Sequence, residues 1–243
     1  MDYHQKYYKY KEKYINLQNI LNKVGGKMEK NIKPYIIFSD KMLQKLDKNG
    51  LVEKILRICA KNKINPINSS IIDMGSGHGD ISLGLTFYFD KVIGIEPSVS
   101  MLEQAEMNKN RLKMLKSDDF NEDKITFIQN NFYKALDIEP VNIIILINSI
   151  HFAKLNTVNN VLDNLLNYLL KDGLIIIKEP WLNGLNSLKL NKDNDLKKKK
   201  IEKIKNIREE IDTFIEKSDK VKLIKSINYE DDKYYIIVLK KII

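Results

Sequence analysis

At 243 residues the chain can hold one α/β domain with an extension, and its 43% of apolar residues can fill a core. It has no run of about 18 apolar residues, so no membrane span is expected, and Met1-Asp2-Tyr3-His4 lacks the apolar stretch of a secretory signal. The one cysteine, Cys59, excludes an internal disulfide, the three histidines lack metal-ligand spacing, and the net charge of +9 fits either a nucleic-acid partner or a chain simply rich in Lys, Asn and Ile.

In residues 1–24, Tyr7, Tyr10, Tyr14, Leu17 and Leu21 stand at helical spacing with lysines between them, and Gly25-Gly26 is a stop signal. This predicts an N-terminal amphipathic helix within residues 1–26, read either as a docking element or as packing on its own domain. Pro34 breaks any helix in the linker 27–37. From Ser39, Met42, Leu43, Leu46, Leu51, Ile55, Leu56 and Ile58 recur on helical faces, and the break at Asn49-Gly50 predicts two short helices.

Ile71-Ile72-Asp73-Met74-Gly75-Ser76-Gly77-His78-Gly79-Asp80 is the stretch the rest is organised around. An apolar run ends in an acid and three glycines alternate after it, which predicts a strand at about 69–74, a tight turn, and a helix to about Phe89. Glycines here allow positive φ and let a ligand approach without meeting a Cβ. A dinucleotide site wants its third glycine one residue later. Asp80 holds that place, and its carboxylate would repel a pyrophosphate but tolerate a ligand without phosphate.

The second strand, Lys91-Val92-Ile93-Gly94-Ile95-Glu96, ends in an acid able to accept both hydroxyls of a ribose. Ser98 can cap the next helix, with Met101, Leu102 and Ala105 inside, and residues 107–122 read as polar and exposed. The third strand, 124–128, leads into Gln129-Asn130-Asn131-Phe132. Residues 141–147 are almost unbroken apolar sequence, as in a strand buried on both faces, and end in Asn148-Ser149-Ile150-His151-Phe152. His151 reads as a general base, a substrate-positioning donor or a half-buried structural histidine.

A helix at about 156–170 should stop at Lys171-Asp172-Gly173, before a fifth strand at 174–180. Residues 181–219 open with the only tryptophan, Trp181, and carry a helical stripe of Leu196, Ile201, Ile204, Ile207, Ile211, Phe214 and Ile215. The run Lys197 to Lys200 opposes a helix dipole at that end, and reads as an anion contact or a solvated face. An antiparallel pair at about 221–228 and 233–240 closes the chain.

The glycine turn with Asp73 resembles motif I of the class I S-adenosylmethionine-dependent methyltransferases, and Glu96 resembles their motif II acid. The fifth-strand stretch and the terminal hairpin resemble theirs too, so the likeness spans about residues 38–243. It implies an α/β, Rossmann-like, doubly wound sheet of seven mostly parallel strands with a C-terminal antiparallel hairpin. It also implies S-adenosylmethionine as cofactor, held by Asp73, Gly75, Ser76, Gly77, Gly79 and Glu96. Asn130, Asn131, Phe132 and Asn148 would complete that site, Asn131 replacing the usual Asp with an amide oxygen that can accept the same bond.

In small-molecule members the fourth strand likewise ends near a histidine, which makes His151 the catalytic candidate and, with Trp181, a substrate contact. Residues 181–219 become an insertion or lid over the acceptor. The motifs of adenine-amino and cytosine-C5 enzymes are missing at the fourth strand, so a small-molecule acceptor is expected. RNA or protein methylation, suggested by the charge, and a catalytically silent binding module, left open by Asn131, are the alternatives. No membrane partner is expected. The first 26 residues resemble the N-terminal segments of giant, mimivirus-type DNA virus proteins, which implies a host cytoplasm or virion location.

Overall fold

The computed structural model describes residue 46 and residues 50–115, 120–180, 194–229 and 234–243. Its strands are β1 (Ser70–Met74), β2 (Lys91–Glu96), β3 (Ile125–Gln129), β4 (Val141–Ile147), β5 (Leu169–Pro180), β6 (Val221–Tyr229) and β7 (Tyr234–Lys241). Its helices are α1 (Leu51–Lys61), α2 (Asp80–Leu85), α3 (Val99–Leu115), α4 (Val158–Leu166) and α5 (Asn194–Lys217). All seven strands form one sheet in the order β3-β2-β1-β4-β5-β7-β6. The pairs from β3 across to β5 are parallel, and β7 runs antiparallel between β5 and β6. The sheet is the mostly parallel, doubly wound one expected, closed by the terminal hairpin.

Both faces of the sheet are covered, which is why its central strands are apolar on every side. On one face Leu51, Ile55, Leu83 and Leu112 from α1, α2 and α3 pack on Ile71, Ile143, Ile176 and Ile236. On the other, Val161, Leu165, Ile207, Ile211 and Phe214 from α4 and α5 pack on Ile72, Ile144, Ile175 and Ile237. Each such fully buried aliphatic side chain contributes about 1.5–3 kcal/mol.

The strand order turns around between β1 and β4, and in such sheets the ligand crevice opens at the carboxyl ends of the strands on either side of that point. The glycine turn after β1 and the segment after β4 are therefore neighbours.

Several boundaries differ from expectation. The helix after the glycine turn ends at Leu85 rather than near Phe89, where Thr86 turns its hydroxyl onto the Leu83 carbonyl at 2.7 Å. Met101 is 39% exposed rather than inside, and of α3 only Ala105 and Leu112 are buried. α4 is shorter than 156–170, since Leu169 already pairs with Val141. Lys171-Asp172-Gly173 is not the helix stop expected but an irregularity within β5, with Asp172 at φ +65° and a register shift opposite Val141 and Ile143. The N-terminal helix, the first of the two short helices apart from Leu46, and Trp181 lie outside the described residues. No helix among the described residues is long and apolar enough to cross a membrane.

Candidate functional site

The glycine turn hooks back onto β2: the Gly75 and Ser76 N–H groups both donate to the Ile95 carbonyl, at 2.7 and 3.0 Å. Gly75 has φ +85° and Gly77 φ +55°, left-handed values that glycine adopts without strain. The two glycines have different surroundings. A Cβ on Gly75 would fall 2.5 Å from the Ser149 Cβ, whereas one on Gly77 would meet nothing within 4 Å. Gly75 is required by packing; Gly77 faces open space.

Glu96, 7% exposed at the end of β2, closes the turn from the side. Its Oε2 accepts from the Gly77 N–H and its Oε1 from the Ser98 N–H, both at 3.0 Å. Each oxygen keeps acceptor capacity for one more donor. Asp73 lies beneath the turn, 2% exposed, with Oδ2 accepting the Ser82 hydroxyl at 2.6 Å. Burial pushes its carboxyl up to about 6, the Ser82 bond opposing and the nearby Glu96 charge adding to the shift. Asp73 thus ties β1 to α2. Ser76 Oγ and Ser149 Oγ are buried and make no hydrogen bond.

In the loop after β3 the asparagines hold the loop itself. Asn130 Oδ1 accepts the Asn131 N–H at 2.7 Å, and its Nδ2 donates to the Ala135 carbonyl at 3.0 Å. Asn131 Oδ1 accepts the Tyr133 N–H at 2.9 Å. Phe132 is partly buried against the core on the α4 side of the sheet and meets Tyr133 edge-on at 6.3 Å.

At the end of β4, Asn148 is held at φ +53°, its N–H on the Lys178 carbonyl at 2.7 Å and its Oδ1 accepting from Lys178 Nζ at 3.2 Å. A non-glycine residue persists there only where its surroundings fix it. Next to it, Glu179 of β5 is fully buried. Its Oε1 accepts the Ser149 and Ile150 N–H groups at 2.7 and 2.9 Å, and its Oε2 lies 2.6 Å from His151 Nδ1. An ionised carboxylate can only accept, so Nδ1 would carry the hydrogen of this bond, and in the neutral ring Nε2 would keep its lone pair. The His151 side chain is 13% exposed, with the Phe152 ring 4.1 Å from its own.

The sequence pointed to the turn glycines, Asp73, Glu96, Asn148 and His151, and the fold gathers them at one edge of the sheet. Asn130, Asn131 and Phe132 sit in the neighbouring loop. Glu179 and Ser149 are additions. The signal for Glu179 was an acid just after the apolar run Leu174 to Ile177, and the pairing of Ile147 with Lys178 sets it beside the segment after β4. Cys59 is no nucleophile: it is buried, and its thiol is pushed up to about 12 by that burial. No cluster of metal-ligating side chains occurs among the described residues.

A family model described as a methyltransferase domain matches residues 67–235. None of the curated proteins compared with the chain matches it. Among solved structures, the chain is similar to the N-methyltransferase NodS from Bradyrhizobium japonicum WM9 in complex with S-adenosyl-L-homocysteine, at 10% identity and TM-score 0.57, covering 94% of this chain and 98% of that one. It is similar to an S-adenosylmethionine-dependent methyltransferase from Clostridium acetobutylicum ATCC 824, at 13% identity and TM-score 0.55, over 85% and 95% of the two chains. It is also similar to the methyltransferase domain of bacterial CtHen1-C, at 18% identity and TM-score 0.54, over 83% and 100%. At these identities the likeness is one of fold.

Proposed function

Because the chain belongs to the methyltransferase domain family, we propose that it moves a methyl group from S-adenosylmethionine to a small-molecule acceptor whose proton His151 takes. The observation that carries this reading is the buried Glu179 carboxylate holding His151 Nδ1 at 2.6 Å, in a segment that packs Ser149 against Gly75 of the glycine turn.

The cofactor's place is supported by the open space at Gly77, by the hydroxyls of Ser76 and Ser149 left without partners, and by the spare acceptor capacity of Glu96. Gly75, Ser76, Gly77 and Glu96 would hold it, with Glu96 taking ribose hydroxyls and Ser149 and Asn148 at the amino-acid end. Asp73 and Gly79 would shape the turn from beneath, and Asn130, Asn131 and Phe132 would border the adenine side. When bound, the cofactor supplies a methyl group already activated by a sulfonium charge.

The chain's own part is to align the acceptor, exclude water and remove a proton. Glu179 keeps the Nε2 lone pair of His151 available and stabilises the imidazolium that forms. An imidazole exposed by only 13% requires the acceptor to bring its reacting atom down to the sheet edge, which suits a small molecule. Trp181 follows Pro180 directly in the sequence and is a further candidate for contact with the acceptor.

The test is to incubate the protein with S-adenosylmethionine and, separately, a cell metabolite extract, total RNA and a protein extract, reading methylated products by mass spectrometry. Transfer to the metabolite fraction, lost in His151→Gln while S-adenosylhomocysteine affinity is kept, supports the reading. Transfer only to RNA or protein overturns the acceptor class, and undiminished turnover in His151→Gln overturns the proton acceptor.

A further inference from the structure

The segment that carries His151, residues 149–158, has little secondary structure of its own: one short turn, Ile150–Phe152, before α4 begins. Phe152, Ala153 and Thr157 donate their N–H groups to carbonyls within the segment, while those of Ser149, Ile150, Lys154, Asn156 and Val158 are taken by side chains from three distant parts of the chain. Glu179 of β5 takes those of Ser149 and Ile150. The Tyr133 hydroxyl accepts the Lys154 N–H at 2.6 Å. Glu210 of α5 accepts the Asn156 N–H at 2.8 Å on Oε1 and the Val158 N–H at 3.0 Å on Oε2.

Glu210 does the work of a missing cap, since Thr157 makes no side-chain capping bond to α4. A carboxylate there also suits the positive end of the helix. Asn156, between the two anchored groups, is held at φ +63°. α5 itself is firmly seated. Ile207 and Ile211 are buried on either side of Glu210, and Arg208 binds Asp212 at 2.9 Å and Ser226 at 3.2 Å with its guanidinium over the Tyr235 ring. The His151 segment therefore hangs between two carboxylates, Glu179 at its start and Glu210 at its end.

We propose that Glu210 is a positioning residue: by holding Asn156 and Val158 it keeps the segment where His151 Nδ1 meets Glu179, and so keeps Nε2 as the basic nitrogen. This deepens the reading of His151 as proton acceptor and rests on it. Without Glu210 the two N–H groups turn to water and Asn156 relaxes toward negative φ. A backbone shift of about 1 Å is enough to break a 2.6 Å hydrogen bond, whose strength falls steeply with distance and angle. The freed imidazole then places its hydrogen on either nitrogen.

The test uses full-length protein with ¹⁵N-labelled histidine, reading the tautomer of neutral His151 from its ring-nitrogen shifts, with His151→Gln for assignment. The parent should show the Nδ1–H form alone. Glu210→Ala should show the Nε2–H form or an average of the two, and amide exchange at Asn156 and Val158 should rise about tenfold or more. Glu210→Gln, whose amide oxygen can keep one bond, should lie between. Leu162→Ala weakens α4 without touching either tether and should leave the tautomer unchanged. A Nδ1–H form that survives Glu210→Ala, a parent that lacks it, or an equal change in Leu162→Ala would each overturn the proposal. S-adenosylhomocysteine titrated into the same samples keeps the two readings apart: a parent that fails to bind it sinks the proposed function, while the tautomer still decides the role of Glu210.

Discussion

Gly75 and Gly77 stand two residues apart in one turn, both at positive φ, yet alanine should affect them oppositely. Alanine at Gly75 pays the left-handed strain of about 1–2 kcal/mol. Its Cβ would also fall 2.5 Å from the Ser149 Cβ, about 1 Å inside normal contact. Ser149 has little room to yield, being 3% exposed with its N–H on Glu179 at 2.7 Å. Overpacking of this kind adds about 1–3 kcal/mol, for a total of about 2–5 kcal/mol. Alanine at Gly77 meets nothing within 4 Å, so only the strain of about 1–2 kcal/mol remains. Its methyl group instead enters the space assigned to the cofactor. Urea unfolding with an unchanged m-value should give the two stability losses, and calorimetric titration with S-adenosylhomocysteine the affinities. Gly77→Ala should be the more stable variant and lose tenfold or more in affinity, about 1.4 kcal/mol. A Gly77→Ala protein as unstable as Gly75→Ala, or one that binds like the parent, would refute the assignment.

Glu179→Gln keeps the shape but sets an amide N–H₂ against His151 Nδ1–H, and should lower stability by about 1.5–3 kcal/mol in guanidinium unfolding; a change near zero would mean that the Glu179–His151 bond is not made in solution. Asp73, pushed up to about 6 against 3.8 for an unburied carboxyl, holds its proton more tightly folded than unfolded. Its contribution to stability is full below pH ~4 and lost as pH rises through ~6, with a ceiling of about 3 kcal/mol. Asp73→Asn, which still accepts from Ser82, should flatten the stability profile between those values, and a slope equal to the parent's would show Asp73 ionised throughout. A chain starting at Lys27 should melt within a few degrees of the full chain and bind S-adenosylhomocysteine equally; a large drop would make the tyrosine stripe of residues 1–26 part of the core.

Much of the fold was legible because strands covered on both faces leave apolar runs that nothing else explains. Residues 141–147 and 91–96 are strands at the expected boundaries, and the antiparallel pair lies within a residue or so of its predicted limits. The turn was legible through its glycines, a local signal. Lys171-Asp172-Gly173 misled because the same residues that favour a helix stop also permit an irregular strand, and pairing with β4 decided between them. Met101 misled because helical spacing gives a face but not how deeply the helix sits.

The partners of His151 were harder to see. Glu179 is 28 residues away and meets it only through the parallel register of β4 and β5. Glu210 stands in a helix crowded with charge, where one carboxylate looks like any other until the fold turns it onto Asn156. Local chemistry is written locally, whereas long-range hydrogen bonds depend on a topology that must form first.

The proposed function makes the turn after β1 the cofactor site, with Glu96 as the group that would take the ribose. A crystal structure of the full chain grown with S-adenosylhomocysteine tests it most directly. Ligand density over Gly77, with both ribose hydroxyls within about 3 Å of the Glu96 carboxylate, is the predicted result. Ligand bound elsewhere, or bound at the turn with its ribose away from Glu96, would contradict it.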